Sequence, residues 1–410
     1  MDGADARNVV AGRMARVRRG REGVSRILRV GIVGCGNVTT RFHLPAYAQL
    51  PDRVRVAALA DVEPARLAEA QAVSGVAGDD LHADWRVLVE RADVDIVDVA
   101  TPPRLHAEIA EAAAAAGKHV LCEKPITTVP AEAERMIARC REAGVTLGVW
   151  HNWAFYPEVL GAEAIVASGE IGTPRLALVD YLGVPDIKGA GETTHAWRHD
   201  PVAAGGGVLI DMLHCLYITE RMIGHDARRV SAWVSGNPDH PRVEATALCR
   251  LETDGPVALV NVGWGHGPGG VFIEGSDGSI EMRWQDGGTG PFVPLSTMEV
   301  RTTAGGRREV EVEKNALPEI HVDAMRRLVE DFVEAVRAGR EPRMTGEDGL
   351  HALEVTLAAY ASAALGRTIE VPLDPADPVH REGVAAIPRL AGPGWSPVGR
   401  QHLFLSDTQP

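Results

Sequence analysis

Leu28-Arg-Val-Gly31-Ile-Val-Gly34-Cys-Gly36-Asn37 opens as a β-branched apolar run and breaks into glycines. A helix-compatible segment begins near Asn37. A strand, a tight glycine turn and a helix N-terminus leave bare backbone N–H groups against which a pyrophosphate can sit. The stretch therefore predicts a dinucleotide site at the head of a doubly wound α/β domain.

The same alternation of apolar and amphipathic runs continues to about residue 150. Strands are expected at 29–33, 54–60, 95–100, 119–122 and 145–150, and helices at 38–50, 64–74, 85–91, 105–116 and 131–143. Apolar runs with little polar alternation indicate strands covered on both faces, and strand–helix repetition indicates parallel βαβ units. Gly117 and Gly144 stand where helix C-caps belong, each just before the next strand.

The pattern changes after Asn152. A helix at 157–168 leads to a strand near 175–181, a glycine-bearing loop and one continuous helix at 208–223. From 229 to 312, short alternating runs separated by Gly, Pro, Asn and Asp read as a mostly antiparallel sheet with hairpins. Helices at 320–338 and 346–365 close the chain's second unit. The expected organisation is a basic, disordered extension over 1–26, a doubly wound, Rossmann-type domain over 27–152, an α+β domain over 153–372, and a Pro- and Gly-rich tail over 373–410 strapped across the surface.

Composition narrows the function. A chain of 410 residues with 45% hydrophobic and 24% charged residues has the length of two domains and the balance of a soluble protein. Its net charge of −14 opposes a nucleic-acid or anionic-membrane partner. No apolar run approaches a membrane span, and no apolar segment follows the N-terminal arginines to make a secretory signal. Five dispersed cysteines fit reduced thiols in a cytoplasm better than a disulfide framework.

Asp61 lies 25 residues beyond Gly36, at the end of the second expected strand. A carboxylate there accepts both ribose hydroxyls of an adenosine and repels a 2′-phosphate, which favours NAD over NADP. The third position of the glycine fingerprint, usually Gly or Ala, is Thr39, and its bulk is expected to loosen the helix–strand packing. Two further motifs end parallel strands, where ligands bind in such sheets: Ala100-Thr-Pro-Pro-Arg-Leu-His106 and Gly117-Lys-His-Val-Leu-Cys-Glu-Lys124-Pro125. Lys124 would lie beside the nicotinamide end of the cofactor, although a lysine after a strand, taken alone, reads better as a surface residue. Farther on, His195-Ala-Trp197-Arg198-His199 puts an aromatic next to a cation. Trp197 suits the apolar face of a polyhydroxylated ring and Arg198 its oxygens or a carboxylate, or else Trp197 is a buried loop anchor. His195, His199, His214 and Cys215 lack metal-ligand spacing, so no metal is expected.

Taken in order, Gly31–Asn37, Ala100–His106, Glu123-Lys124-Pro125, His151-Asn152, Gly205-Gly-Gly-Val-Leu-Ile-Asp211-Met-Leu-His214 and Thr345-Gly-Glu-Asp-Gly-Leu-His351 resemble the Gfo/Idh/MocA oxidoreductases. The resemblance spans roughly residues 27–372 and leaves both tails outside. It implies a Rossmann domain followed by an α+β domain with a large open sheet that supports a homodimer or homotetramer, with the active site between them. It implies cofactor contacts from Gly34, Gly36, Asn37, Val38, Asp61, Thr101, Pro102, His106, Glu123, Lys124 and Asn152. Lys124 would be the catalytic lysine, with Asp211 and His214 as its partners, and Tyr181, Trp197 and Arg198 would join them around a sugar or cyclitol. Oxidation of a secondary alcohol needs a base for the hydroxyl proton while hydride leaves to nicotinamide. A lysine cation stabilises the developing charge, and a carboxylate can hold the histidine.

One departure touches the mechanism. The family's histidine usually follows the aspartate by four residues, whereas His214 follows Asp211 by three and Cys215 takes the usual slot. Both spacings share a helix face with Asp211. His214 is thus either the proton-transfer group or a histidine packed beside the site, with His195, His199 and Tyr181 as rivals. Two other activities use the same motifs: an NAD-retaining, redox-assisted glycosidase or lyase, and a non-catalytic NAD(H)-binding regulator. Accumulation of NADH during turnover separates the first, and silence towards every polyol separates the second.

Overall fold

The computed structural model describes residues 26–184, 206–236, 243–265, 267–285, 294–313 and 320–391. Its first sheet has six parallel strands in the order β3-β2-β1-β4-β5-β6. These are β1 (Leu28–Val33), β2 (Val54–Ala60), β3 (Leu81–His82), β4 (Ile96–Val99), β5 (His119–Cys122) and β6 (Leu147–Val149). Val30 and Ile32 of β1 and Val97 and Val99 of β4 are wholly buried, as strands covered on both faces require. The order reverses between β1 and β4, so a crevice opens at their carboxyl ends. β3 is the strand that periodicity misses: two half-buried residues at a sheet edge carry no apolar pattern to read.

The helices of this layer are α1 (Leu44–Ala48), α2 (Pro64–Ser74), α3 (Trp85–Val89), α4 (His106–Ala115) and α5 (Pro130–Ala143). The helix expected at 38–50 begins instead as a wider π turn, Thr39–His43, before narrowing to α1. Thr39, expected to loosen the packing, is fully buried and donates its hydroxyl to the Gly34 carbonyl at 2.6 Å. The larger side chain is thereby tied into the turn.

The second sheet has nine strands in the order β14-β13-β12-β11-β7-β10-β9-β8-β15. They are β7 (Pro174–Val184), β8 (Ala227–Ser235), β9 (Thr246–Thr253), β10 (Val257–Trp264), β11 (Gly269–Gly275), β12 (Gly278–Trp284), β13 (Leu295–Thr302), β14 (Gly306–Glu309) and β15 (Ile369–Glu370). Only β7 and β10 pair in parallel; the other neighbours are antiparallel. One face is covered by α6 (Pro157–Ser168), α7 (Val208–Asp211), α8 (His214–Ile223) and α10 (Gly346–Leu365), whereas α9 (Ile320–Ala338) packs on α1 and on the turn at 152–155. Helix α10 touches both β8 and β6, which fixes the two sheets about a common cleft.

The single helix expected at 208–223 is two helices. The Asp211 carbonyl accepts from Lys124 Nζ at 2.5 Å, and the Cys215 amide turns to Met212 O at 3.0 Å. A side chain from the other sheet thus captures the oxygen that would have continued α7. In the described part of the tail, α11 (Pro378–Glu382) and α12 (Ile387–Ala391) bury Val379, His380 and Ile387.

Candidate active site

A cleft of about 1360 Å³ runs from the carboxyl ends of β1 and β2 to α7 and α9. At its outer end lies the glycine turn. Gly34 has φ +99°, and a Cβ there would meet Ala100 O at 2.4 Å, so only glycine lets the turn approach the end of β4. Gly36 faces open space, with nothing within 4 Å of a built Cβ. Asp61 accepts from the Cys35 amide (2.8 Å) through one oxygen and from the Glu63 amide (2.8 Å) through the other, which aims the carboxylate at the cleft wall it forms with Val62 and Arg66. The open glycine face, the main-chain donors of the turn and a held carboxylate after β2 fit the pyrophosphate and adenosine ribose of NAD.

Asn37, Val38, Thr101, Pro102, Glu123, Lys124 and Asn152 also line this cleft. His106 does not. Its ring is fully buried, with Nδ1 3.0 Å from Pro125 O and Nε2 2.8 Å from Thr101 O. Burial lowers its pKa, and its two ring nitrogens link the loops after β4 and β5.

At the inner end Lys124, Asp211 and His214 meet. Lys124 Nζ bonds Asp211 O at 2.5 Å and stands 3.8 Å from Asp211 Oδ1. Trp264 Nε1 approaches Asp211 Oδ2 at 3.4 Å. The His214 ring stacks on Trp153 (4.8 Å, 13°), and its Nδ1 is 2.8 Å from the Tyr217 hydroxyl, which also accepts from the Trp153 amide. Among the described residues it is Tyr217, not Asp211, that orients the histidine. Burial first, then Lys124, His151 and His321, push the His214 pKa well below its ordinary value, so the ring is neutral. His151 lies beneath, stacked on Tyr217 at 4.2 Å; burial and Lys124 hold its pKa down at about 3.

Tyr181 stays outside the cleft. It is buried edge-on against Trp153 and Trp284, because the alternation of β7 turns it into the core. Trp197, Arg198, His195 and His199 lie outside the described residues.

Two groups escaped sequence reasoning. His321, at the start of α9, lines the cleft with Nδ1 2.5 Å from the Tyr156 hydroxyl. Behind the cleft, fully buried His43 bridges Asp98 (3.0 Å) and Glu123 (3.1 Å) and stacks on Trp150 at 3.9 Å. Asp98 also accepts from Tyr47 (3.0 Å) and Trp150 Nε1 (2.9 Å). Burial alone would lower the His43 pKa, but Asp98 and Glu123 outweigh it and raise it to about 9. In turn His43 overcomes the effect of burial on Glu123 and holds that carboxyl below its ordinary value, while the other Glu123 oxygen accepts from the Lys124 amide at 2.9 Å. Among the described residues no group of three or more His, Cys, Asp or Glu side chains is arranged to hold a metal ion.

Comparison with known proteins agrees with this geometry. Residues 28–151 match the GFO_IDH_MocA oxidoreductase model with an NAD-binding Rossmann fold, and 164–371 match its C-terminal α/β domain. The chain is 25% identical over 387 residues to a D-apiose dehydrogenase of Paraburkholderia graminis, covering 90% of this chain and 95% of that one. It is 30% identical to a 1,5-anhydro-D-fructose reductase of Ensifer adhaerens over 291 residues, 69% of this chain and 82% of the relative. A solved levoglucosan dehydrogenase in complex with NADH superposes with a TM-score of 0.73 at 25% identity, covering 85% of this chain and all of that one.

Proposed function

Because the chain belongs to the Gfo/Idh/MocA family of NAD-binding oxidoreductases, we propose that it moves hydride between NAD and a secondary hydroxyl, or the matching ketone, of a sugar, sugar derivative or cyclitol. The observation that carries this reading is the meeting of Lys124, Asp211 and His214 at the inner end of the dinucleotide cleft. The dehydrogenases and reductases of apiose, levoglucosan and anhydrofructose among its relatives support the substrate class.

Bound NAD would supply the hydride acceptor. The glycine turn, Asn37, Val38, Thr101, Pro102 and Asn152 would hold it, with Asp61 on the ribose hydroxyls. Neutral His214 takes the hydroxyl proton, and its contact with Tyr217 keeps the ring in place. Lys124 faces the same oxygen as negative charge builds, with the Asp211 carboxylate beside it as counter-charge. Trp197 and Arg198 complete the proposal as contacts for the sugar ring and its oxygens.

The test is a panel of aldoses, ketoses, anhydrosugars and inositols with NAD or NADH, followed by absorbance. A substrate should accumulate NADH stoichiometrically, and Lys124→Met should lower kcat by roughly a hundredfold or more. No turnover across the panel, or an unchanged Lys124→Met rate, rejects the reading; turnover with the cofactor recycled in place would favour redox-assisted bond cleavage instead.

The open face of the second sheet carries Leu178 beside Leu259, and Trp233 beside Leu248, each 37–56% exposed. An apolar strip across four strands favours a second copy of the chain as its cover. Light scattering should find a homodimer or larger, and Trp233→Glu with Leu259→Glu should yield monomers; a monomeric native protein rejects the pairing. All five cysteines are buried and unpaired, which suits a reducing cytoplasm.

A further inference from the structure

Helix α7 has four residues and no side chain of its own at the N-cap, which is Gly207. The amides of Gly207, Val208 and Leu209 are nevertheless taken, each by one distant residue. The Glu244 carboxylate accepts from Gly207 N (3.1 Å to each oxygen) and from Leu209 N (2.9 Å), while the Glu244 main-chain oxygen accepts from Val208 N (3.1 Å). The Tyr360 hydroxyl of α10 donates to the same carboxylate at 2.5 Å and receives Gly207 N at 3.0 Å. Glu244 is wholly buried. The two glycines exist for this contact: a Cβ on Gly206 would meet the Tyr360 hydroxyl at 2.1 Å, and one on Gly207 would meet Glu244 O at 2.3 Å. At the other end of the same short helix stands Asp211, with its carbonyl on Lys124 Nζ.

We propose that Glu244 is a positioning residue for the reaction: by taking the leading amides of α7 it sets where Asp211 meets Lys124. The inference rests on the role given to Asp211 above. Four residues of helix span about 6 Å, so a shift at Gly207 passes directly to Asp211. Ionised Glu244 satisfies every donor aimed at it. Protonated, it holds fewer acceptor sites for Gly207, Leu209 and Tyr360, and the helix loses its cap.

Burial pushes the Glu244 carboxyl up to about 7 against the bonds from Tyr360, Leu209 and Gly207. The other groups that face it are Tyr360 of α10 and Cys249 of β9, both pushed upward and neutral through that range. His214 titrates far lower. Glu158, also held near 7 by burial, lies instead against Trp284 and Tyr181.

The experiment compares the native enzyme with Glu244→Gln and, in case that variant folds poorly, Tyr360→Phe. Hydrogen exchange of the 206–213 segment is read first, because it needs no substrate; both variants should exchange there faster by tenfold or so than the native chain. With a working substrate, kcat should fall roughly 10–100-fold with KM for NAD unchanged. The native kcat should also decline as pH falls through about 7, and Glu244→Gln should lose that limb. Unchanged exchange overturns the cap; changed exchange with unaltered kcat, or an acid limb that survives in Glu244→Gln, overturns the positioning role. If no sugar is turned over, the dehydrogenase reading fails separately and exchange alone decides the cap.

Discussion

Lys124 Nζ sits 2.5 Å from the main-chain oxygen of Asp211, so the loop after β5 of the first sheet and the glycine-led helix over the second sheet are joined at the inner end of the cleft. Only the carboxylate supplies charge; the carbonyl supplies position. Asp211→Asn should therefore leave the lysine in place while removing its counter-charge, with Oδ1 now 3.8 Å away. Steady-state kinetics should show kcat down by about tenfold or more with KM for NAD unchanged. A native kcat would remove Asp211 from the chemistry.

The Tyr217 hydroxyl serves both His214 Nδ1 and the Trp153 amide. Tyr217→Phe strands two buried polar groups and should cost about 1–3 kcal/mol of stability. It should also free the His214 ring about its stacking contact, lowering kcat by about tenfold with little change in substrate KM. Thermal melts and kinetics on the same preparation separate the two effects, since loss of stability alone would leave kcat intact.

Asp61 holds the glycine turn as well as facing the adenosine end of the cleft. Asp61→Ala should weaken NAD, and Arg66, which lines the same wall, becomes available to a 2′-phosphate. Titration calorimetry should show the NAD affinity falling by roughly tenfold or more while the preference over NADP shrinks. An unchanged preference would mean that Asp61 acts only on the turn.

The parts of the site that the sequence reveals are those built from neighbours. Gly34, Gly36 and Asp61 stand out in the sequence because turn, helix start and strand end lie within one βαβ unit, whereas Lys124, one lysine after a strand, is singled out only by the family resemblance. That Tyr181 faces the core was not legible, because alternation along β7 depends on which face the helices cover, and that is decided by partners far along the chain. The break after Asp211 and the cap by Glu244 were illegible for a related reason. Lys124 comes from 87 residues upstream and Glu244 from 37 residues downstream of their main-chain partners. No local period encodes such contacts. His43 hides likewise: within its own stretch it reads as one polar residue in an amphipathic helix, and its meaning comes from Asp98 and Glu123, 55 and 80 residues away.

That buried triad gives the last prediction its sign. The folded pKa of His43 is raised to about 9 from 6.5. Its stabilisation is therefore fully present below pH 6.5 and is lost as pH rises through 9, in total on the order of 3 kcal/mol. His351, raised to about 9 because Glu220 outweighs the effect of burial, adds in the same direction. The native melting temperature should accordingly fall between these pH values. His43→Gln should melt lower at pH 6.5 and lose part of the slope, leaving the share that belongs to His351. Because Glu123 holds the Lys124 amide at 2.9 Å, the same deprotonation loosens the strand end that carries the lysine. Turnover should then decline with stability above pH 9, and a native melting temperature that stays flat across the range would show that His43 carries no charge in the fold.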